Sequence, residues 1–238
     1  MTASTHDGRR TAILAIDSAT KQVVVATGSR DGRIDGLTIW AADYRHGETL
    51  LPTIDHVLGE QNIRRSRLVG IVIGTGPGAF TGLRVGLATA KGLAHGLGIP
   101  IVGISTAEAL LVAAAADRGP ETDGSGDAYV LLLPAGPSDR IMVRPGVPPS
   151  LLPAGLEPEL ASGETVVAVD LDGRADRHAL ERGEAARAGL GAALIALGAA
   201  RLAAGDADDL AGLVPEYVTL PRGVQADSGE VSWSHDRR

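Results

Sequence analysis

The chain has 238 residues, 44% of them hydrophobic and 21% charged, enough for a core of useful size in one large or two small domains. It contains no cysteine, which excludes disulfides and thiolate metal ligands. Its formal net charge of −7 divides into +2 over residues 1–119 and −9 over residues 120–238, so the acidic second half disfavours direct tight binding of a nucleic-acid backbone by this chain alone.

The first apolar run, Thr11–Ile16, meets the polar turn Asp17-Ser18-Ala19-Thr20 and a second run, Val23–Ala26, which together predict a hairpin. Leu37–Ala41 supplies a third strand. Leu51, Ile54 and Leu58, with Leu50 and Val57, recur at helical spacing and predict a helix over about 48–60. Leu68–Ile73 is the most strand-like segment and runs directly into the glycine-rich Gly74–Gly82, then into a helix reaching about Leu97. Pro100–Ile104 predicts the next strand, and Ser105 or Thr106 caps a helix over Glu108–Asp117.

Residues 119–127 turn to Gly, Asp, Ser and Thr, which marks a boundary. Tyr129–Leu133, a Pro-Ala-Gly-Pro turn and Arg140–Arg144 predict a second hairpin, so the halves begin alike and suit a duplicated fold. Pro145–Pro158 reads as irregular, Thr165–Asp170 as a strand, and Glu184–Ala204 as a long alanine-rich helix closed by Gly205. No apolar run approaches the roughly 18 residues of a membrane span, and Met1–Arg10 lacks the apolar stretch of a signal peptide; a cytoplasmic protein is expected.

A strand, a glycine-rich turn and a helix can present backbone N–H groups to an anion; the glycines can equally serve only a sharp turn and close packing. The P-loop is excluded because Gly82 is followed by Leu83-Arg84, and the dinucleotide pattern fails because Gly78 is followed by Ala79-Phe80-Thr81. Gly82, Gly86, Ala90 and Ala94 recur every four residues and form a ridge almost without side chains, which admits a neighbouring subunit helix or the chain's own sheet. A partner interface is expected at Leu51, Ile54, Leu58, Gly82, Arg84, Gly86, Ala90 and Ala94, with Arg84 facing the partner or a nucleotide shared with it.

Ile13-Leu-Ala-Ile-Asp-Ser-Ala-Thr20, the stretch His46–Leu51, the run Gly74-Thr-Gly-Pro-Gly-Ala-Phe-Thr-Gly-Leu-Arg-Val-Gly86 and Gly103-Ile-Ser-Thr106 resemble the TsaB family, also called YeaZ. The resemblance is strong over about residues 11–115 and weak afterwards, apart from Pro215-Glu-Tyr217, which is similar to a Pro-x-Tyr near that family's C-terminus. It implies an α/β, actin-like (ribonuclease H-like) duplicated fold: two lobes with mixed sheets flanked by helices. The expected layout is a disordered N-terminus at 1–10, a partner-binding lobe at 11–118, a smaller divergent lobe at 119–221 and a disordered tail at 222–238.

The resemblance further implies a non-catalytic subunit of the machinery that forms N6-threonylcarbamoyladenosine in tRNA. Such a subunit pairs with the catalytic paralogue TsaD, with the ATPase TsaE joining, TsaC supplying threonylcarbamoyl-AMP and tRNA reached only indirectly; a homodimer in isolation is the other state to consider. Actin-like ATPases open with Asp-x-Gly-Thr; here Ala19 replaces the glycine, which leaves Asp17, Thr20, Gly76 and Gly78 as candidates for a residual phosphate contact, with Asp17 also read as a turn-capping carboxylate. No tightly bound cofactor is expected, only a weakly held nucleotide at the complex interface. The metal-binding His-x-x-x-His of TsaD corresponds here to Thr106 and Leu110, so no metal site is expected. The alternative is an independent actin-like ATPase or sugar kinase, against which Ala19 and the uncharged turn Pro134-Ala135-Gly136 both speak.

Overall fold

The computed structural model describes residues 11–41, 46–117 and 128–218. The expectations for residues 1–10, for the loop 119–127 and for the tail beyond Arg222 lie outside these described residues. In chain order the elements are β1 Ala12–Asp17, β2 Gln22–Gly28, β3 Ile34–Ala41, α1 His46–Glu60, β4 Leu68–Gly74, α2 Phe80–Leu97, β5 Ile101–Ile104 and α3 Thr106–Asp117. They continue with β6 Tyr129–Ala135, β7 Asp139–Arg144, β8 Val147–Leu152, β9 Thr165–Ala168 and α4 Arg177–Ala203.

The first sheet has the order β3-β2-β1-β4-β5 and the second β8-β7-β6-β9. In each, the opening strand pairs antiparallel with the next strand and parallel with a later one: β1 with β2 and β4, β6 with β7 and β9. This shared pairing pattern is the duplication, and it carries the actin-like α/β fold with two mixed sheets flanked by helices. The second half is the shorter: where α1 follows β3 in the first, residues 153–164 follow β8 without a helix.

Strand β1 is buried along its whole length because helices cover both faces of its sheet. Ala12, Leu14 and Ile16 point to a core shared with Ile54 and Leu58 of α1 and Ala90 and Ala94 of α2. Ile13 and Ala15 point to the other core, shared with α3, α4 and the inner residues of β6, β7 and β9. Helix α3 therefore lies among apolar neighbours on most sides, which is why its buried residues form no single stripe.

Helix α4 decides how the halves meet. It begins at Arg177, seven residues before the predicted start, where the Asp176 carboxylate accepts the Ala179 N–H at 3.0 Å and caps it. By length and composition alone this helix could cross a membrane; here it packs across the first sheet, β9 and α3. Its glycines mark the closest approaches. A Cβ at Gly183 would fall on the Ala168 carbonyl, at Gly191 on Leu37 and Ala26, and at Gly198 on Val72. Their low helix propensity is thus offset by helix-to-sheet contact that any side chain would block.

Two segments depart from the expected layout. Pro145–Pro158, expected to be irregular, contains β8, which tolerates Pro148 and Pro149 because it is an edge strand and its register against β7 shifts between Met142 and Arg144, where the two prolines fall outside the regular pairing. The segment after α4 was assigned with the second lobe but packs on the first. The Asp208 N–H reaches the Ile101 carbonyl at 2.9 Å, its carboxylate accepts the Gly103 N–H at 2.6 Å, and Arg201 binds both Asp208 and the Gly103 carbonyl. Residues 206–217 thereby cover the free edge of β5, which would otherwise be open to pairing.

Gly183→Ala is expected to destabilise the protein by about 1–3 kcal/mol, the range for overpacking, because the obstructing atom is backbone carbonyl and cannot swing away. Equilibrium unfolding in urea measures this; an unchanged midpoint would show that α4 can lift off β9 at no cost.

Candidate functional site

The β1–β2 turn, the glycine loop, the start of α2 and the β5–α3 junction meet in one buried knot. Asp17, at the end of β1, is fully buried. One of its carboxylate oxygens accepts the Ala19 N–H at 2.9 Å; the other accepts the Thr106 hydroxyl at 2.6 Å. Thr106 in turn accepts the Gly76 N–H at 3.1 Å, and the Gly76 carbonyl accepts both the Thr106 N–H at 2.8 Å and the Ser105 hydroxyl at 3.1 Å. Ser18 donates to the Gly82 carbonyl at 2.8 Å, and Ala79 N–H donates to the Ala19 carbonyl at 2.7 Å.

The glycines of the loop are required by this closure. Gly76 has φ +103°, a region open mainly to glycine, and the Gly76–Pro77 peptide is cis. A Cβ at Gly78 would strike the Ala19 carbonyl, and one at Gly74 the Asp17 carboxylate. Of the two readings the sequence left open, the turn-and-packing one describes these positions.

Of the residues expected at a phosphate contact, Asp17 and Gly76 are hydrogen-bonded within the knot, Gly78 lies against the Ala19 carbonyl, and the Thr20 hydroxyl closes its own turn by donating to the Gln22 carbonyl at 2.9 Å. Burial pushes the Asp17 carboxyl up to about 6 against the Thr106 and Ala19 hydrogen bonds, which favour the charged form, with Asp170 adding to the rise. Asp170, at φ +59° just after β9, ties the lobes together. It accepts the Lys21 N–H at 2.6 Å and pairs with Arg187 of α4 at 2.7 Å. The β1–β2 turn is thus tied to the segment after β9 and to α4 by the chain's own groups.

Thr106 and Leu110, the positions expected to correspond to a metal-binding histidine pair, are both buried, Thr106 on Asp17 and Leu110 in the core. Among the described residues no group of three or more His, Asp or Glu side chains is placed to hold a metal ion.

The partner-interface assignment is corrected in part. Gly82, Gly86, Ala90 and Ala94 are buried against the chain's own sheet: a Cβ at Gly86 would fall on the Ser18 hydroxyl, and Ala90 and Ala94 sit in the core with Ile54 and Leu58. The ridge is side-chain-poor because a helix lies flush on a strand and a turn, not because a subunit presses on it. Leu51 and Arg84 do face outward, Leu51 with 45% exposure. Arg84 shares its face with Ala88, Gly92 and Gly96, a second four-residue series that is exposed, and added Cβ atoms at Gly92 and Gly96 would meet only open space. The sequence carried this second series too; nothing in its spacing distinguishes inward from outward.

Sequence reasoning also missed the cluster around Arg84. Its guanidinium lies 3.6 Å from the centroid of the Phe80 ring, its Nε donates to the Tyr217 hydroxyl at 3.0 Å, and the two rings are 5.3 Å apart. Glu216 beside it donates its N–H to the Thr75 carbonyl at 2.7 Å and accepts the Ser105 hydroxyl at 3.2 Å. The Pro215-Glu-Tyr217 motif was the available signal; what it touches, 133 positions away, was not legible.

Comparison with known proteins gives the following. The family described as tRNA N6-adenosine threonylcarbamoyltransferase, TsaD, matches residues 36–136. An uncharacterized protein of Mycobacterium leprae is 37% identical over 116 residues, 47% of this chain and 32% of that protein. The tRNA threonylcarbamoyladenosine biosynthesis protein TsaB of Haemophilus influenzae is 34% identical over 102 residues, 43% of this chain and 42% of that protein. The matched part of the chain therefore spans less than half the length of these curated relatives. The solved structure of YeaZ from Pseudomonas aeruginosa superposes with a TM-score of 0.64 at 20% identity, covering 87% of this chain and 99% of that one.

The raised Asp17 carboxyl predicts a pH dependence of stability. The folded state holds this proton more tightly than the unfolded chain, so stability is highest below about pH 4 as far as this group is concerned, falls as pH rises through about 6 and is flat above, by roughly 3 kcal/mol in all. Asp17→Asn is expected to lose that slope, so that the difference between parent and variant changes with pH by this amount, measured by urea unfolding at closely spaced pH; a parallel pair of profiles would refute the assignment.

Proposed function

We propose that the chain belongs to the TsaB/YeaZ branch of the actin-like superfamily and that it serves N6-threonylcarbamoyladenosine formation in tRNA as a subunit that does no chemistry itself. The observation that carries this reading is the closed knot. Asp17, Thr106 and the glycine loop hydrogen-bond one another in a site with no solvent exposure at Asp17, so the groups that would grip a phosphate or orient a nucleophile serve to hold the lobe's shape. The acidic balance of the second half argues in the same direction, since a chain that repels phosphate reaches tRNA through a companion.

The companion is a TsaD-type catalytic subunit, with a TsaE-type ATPase joining the pair, in the cytoplasm. Its docking face on this chain is the outward side of α2 with Leu51 of α1: Arg84, Ala88, Gly92 and Gly96 form a ledge over which another helix can pass at short distance. Gly92 and Gly96 weaken the helix they occupy and relieve no contact within the chain, which supports a use outside it.

Two experiments test this. A reconstituted modification assay is expected to need this chain for full activity of the catalytic subunit, while the chain alone hydrolyses no ATP; turnover by the isolated chain would favour an actin-like ATPase instead. Gly92→Leu is expected to keep or raise the thermal midpoint and abolish co-elution with the catalytic subunit in size-exclusion chromatography, whereas Gly86→Leu lowers the midpoint by roughly 5–10 °C through its clash with Ser18. Co-elution of the Gly92 variant at parental strength would remove α2 from the docking face.

A further inference from the structure

Arg84 is the only cation on α2 whose charge points away from the protein among the described residues with an assigned contact. Lys91 is turned back to the Leu213 carbonyl at 3.1 Å, and α2 contains no acidic residue that could neutralise Arg84 locally. A long, exposed arginine ordinarily samples many rotamers and loses that freedom on binding. Here the loss is already incurred. Its guanidinium is stacked on Phe80 and its Nε is bound to Tyr217, so one ring face and one donor are occupied and the side chain has one position. The terminal nitrogens have no partner among the described residues, and they carry four of the five donors in the rigid planar fork that suits a two-oxygen acceptor.

Tyr217 reaches Arg84 only because the segment after α4 returns across the first lobe. Asp208 secures it to β5, Leu213 to Lys91, and Glu216 to Thr75 and Ser105 on the knot itself. The segment leaves Tyr217 41% exposed and Val214 64% exposed beside it.

The geometry points to Tyr217 as a positioning residue that makes Arg84 a preset oxyanion receptor on the outward face of α2, its acceptor a carboxylate of the docked protein. This inference rests on the docking face proposed above. A carboxylate is favoured over a nucleotide phosphate because the site is a convex helix surface, whereas phosphate sites gather several backbone N–H groups in a concavity. The N–H groups of Gly76 and Ala79 in the neighbouring loop are turned inward and paired.

The test is a double-mutant cycle on the full chain, with the dissociation constant for the catalytic subunit measured by isothermal titration. Tyr217→Phe keeps the ring and removes the hydroxyl; it is expected to weaken binding about five-fold, the size of one net hydrogen bond, and to leave the thermal midpoint unchanged. Arg84→Ala weakens binding more, and adding Tyr217→Phe to it causes no further loss. Raising the salt from 50 to 500 mM narrows the gap between parent and Arg84→Ala. Parental affinity in Tyr217→Phe, or the same five-fold loss with Arg84 already removed, overturns the positioning role. An Arg84→Ala loss that appears only with added ATP overturns the carboxylate. Absence of any association by the unaltered chain instead overturns the subunit reading, and this inference with it.

Discussion

One hydrogen bond, from the Thr106 hydroxyl to the buried Asp17 carboxylate, joins the end of β1 to the start of α3, and the glycine loop is arranged around it. Thr106 is at once the first residue of α3, the acceptor for the glycine loop and the donor to β1's last residue. A carboxylate sealed from water is costly, and here it is tolerated because both oxygens have donors. At this place in the first lobe the chain's own turn, loop and hydroxyls are hydrogen-bonded to one another.

The knot also explains why α2 is so poor in side chains on its inner face. For Ser18 to reach the Gly82 carbonyl, the helix must lie directly on the β1–β2 turn, and only glycine at 86 leaves room for that hydroxyl. Close packing of this kind needs small residues whether the neighbour is a strand, a turn or a subunit. The outer series Arg84, Ala88, Gly92 and Gly96 has the same spacing and an opposite circumstance, since added Cβ atoms at Gly92 and Gly96 would meet only open space.

The second half contributes more to the first lobe than its place in the chain suggests. Helix α4 supplies a long buried face to the first sheet, and the segment that follows closes β5 and delivers Glu216 and Tyr217 to the glycine loop and Arg84. The lobes are further pinned by Asp170, which binds the backbone of Lys21 and the guanidinium of Arg187. An acidic, divergent half can thus be needed for a surface formed largely by the other half.

The order of strands and helices, the glycine loop and the beginning of a repeat were legible from sequence, because apolar periodicity and turn residues are local properties. Asp17 and Thr106 were both noticed, Asp17 as a turn-capping carboxylate or phosphate contact and Thr106 as a helix cap; their pairing across 89 positions depends on β1, β4 and β5 lying side by side. Spacing alone located the series Gly82, Gly86, Ala90 and Ala94 on α2 and could not tell whether it faces the sheet or a partner, since a period of four is the same on either side of a helix. Only the tertiary structure decided that Gly86 and Ala90 belong to the core, that Gly92 and Gly96 face outward, and that Tyr217 sits on Arg84. Each of those facts is a long-range contact, and no local pattern encodes which distant surface a residue will meet.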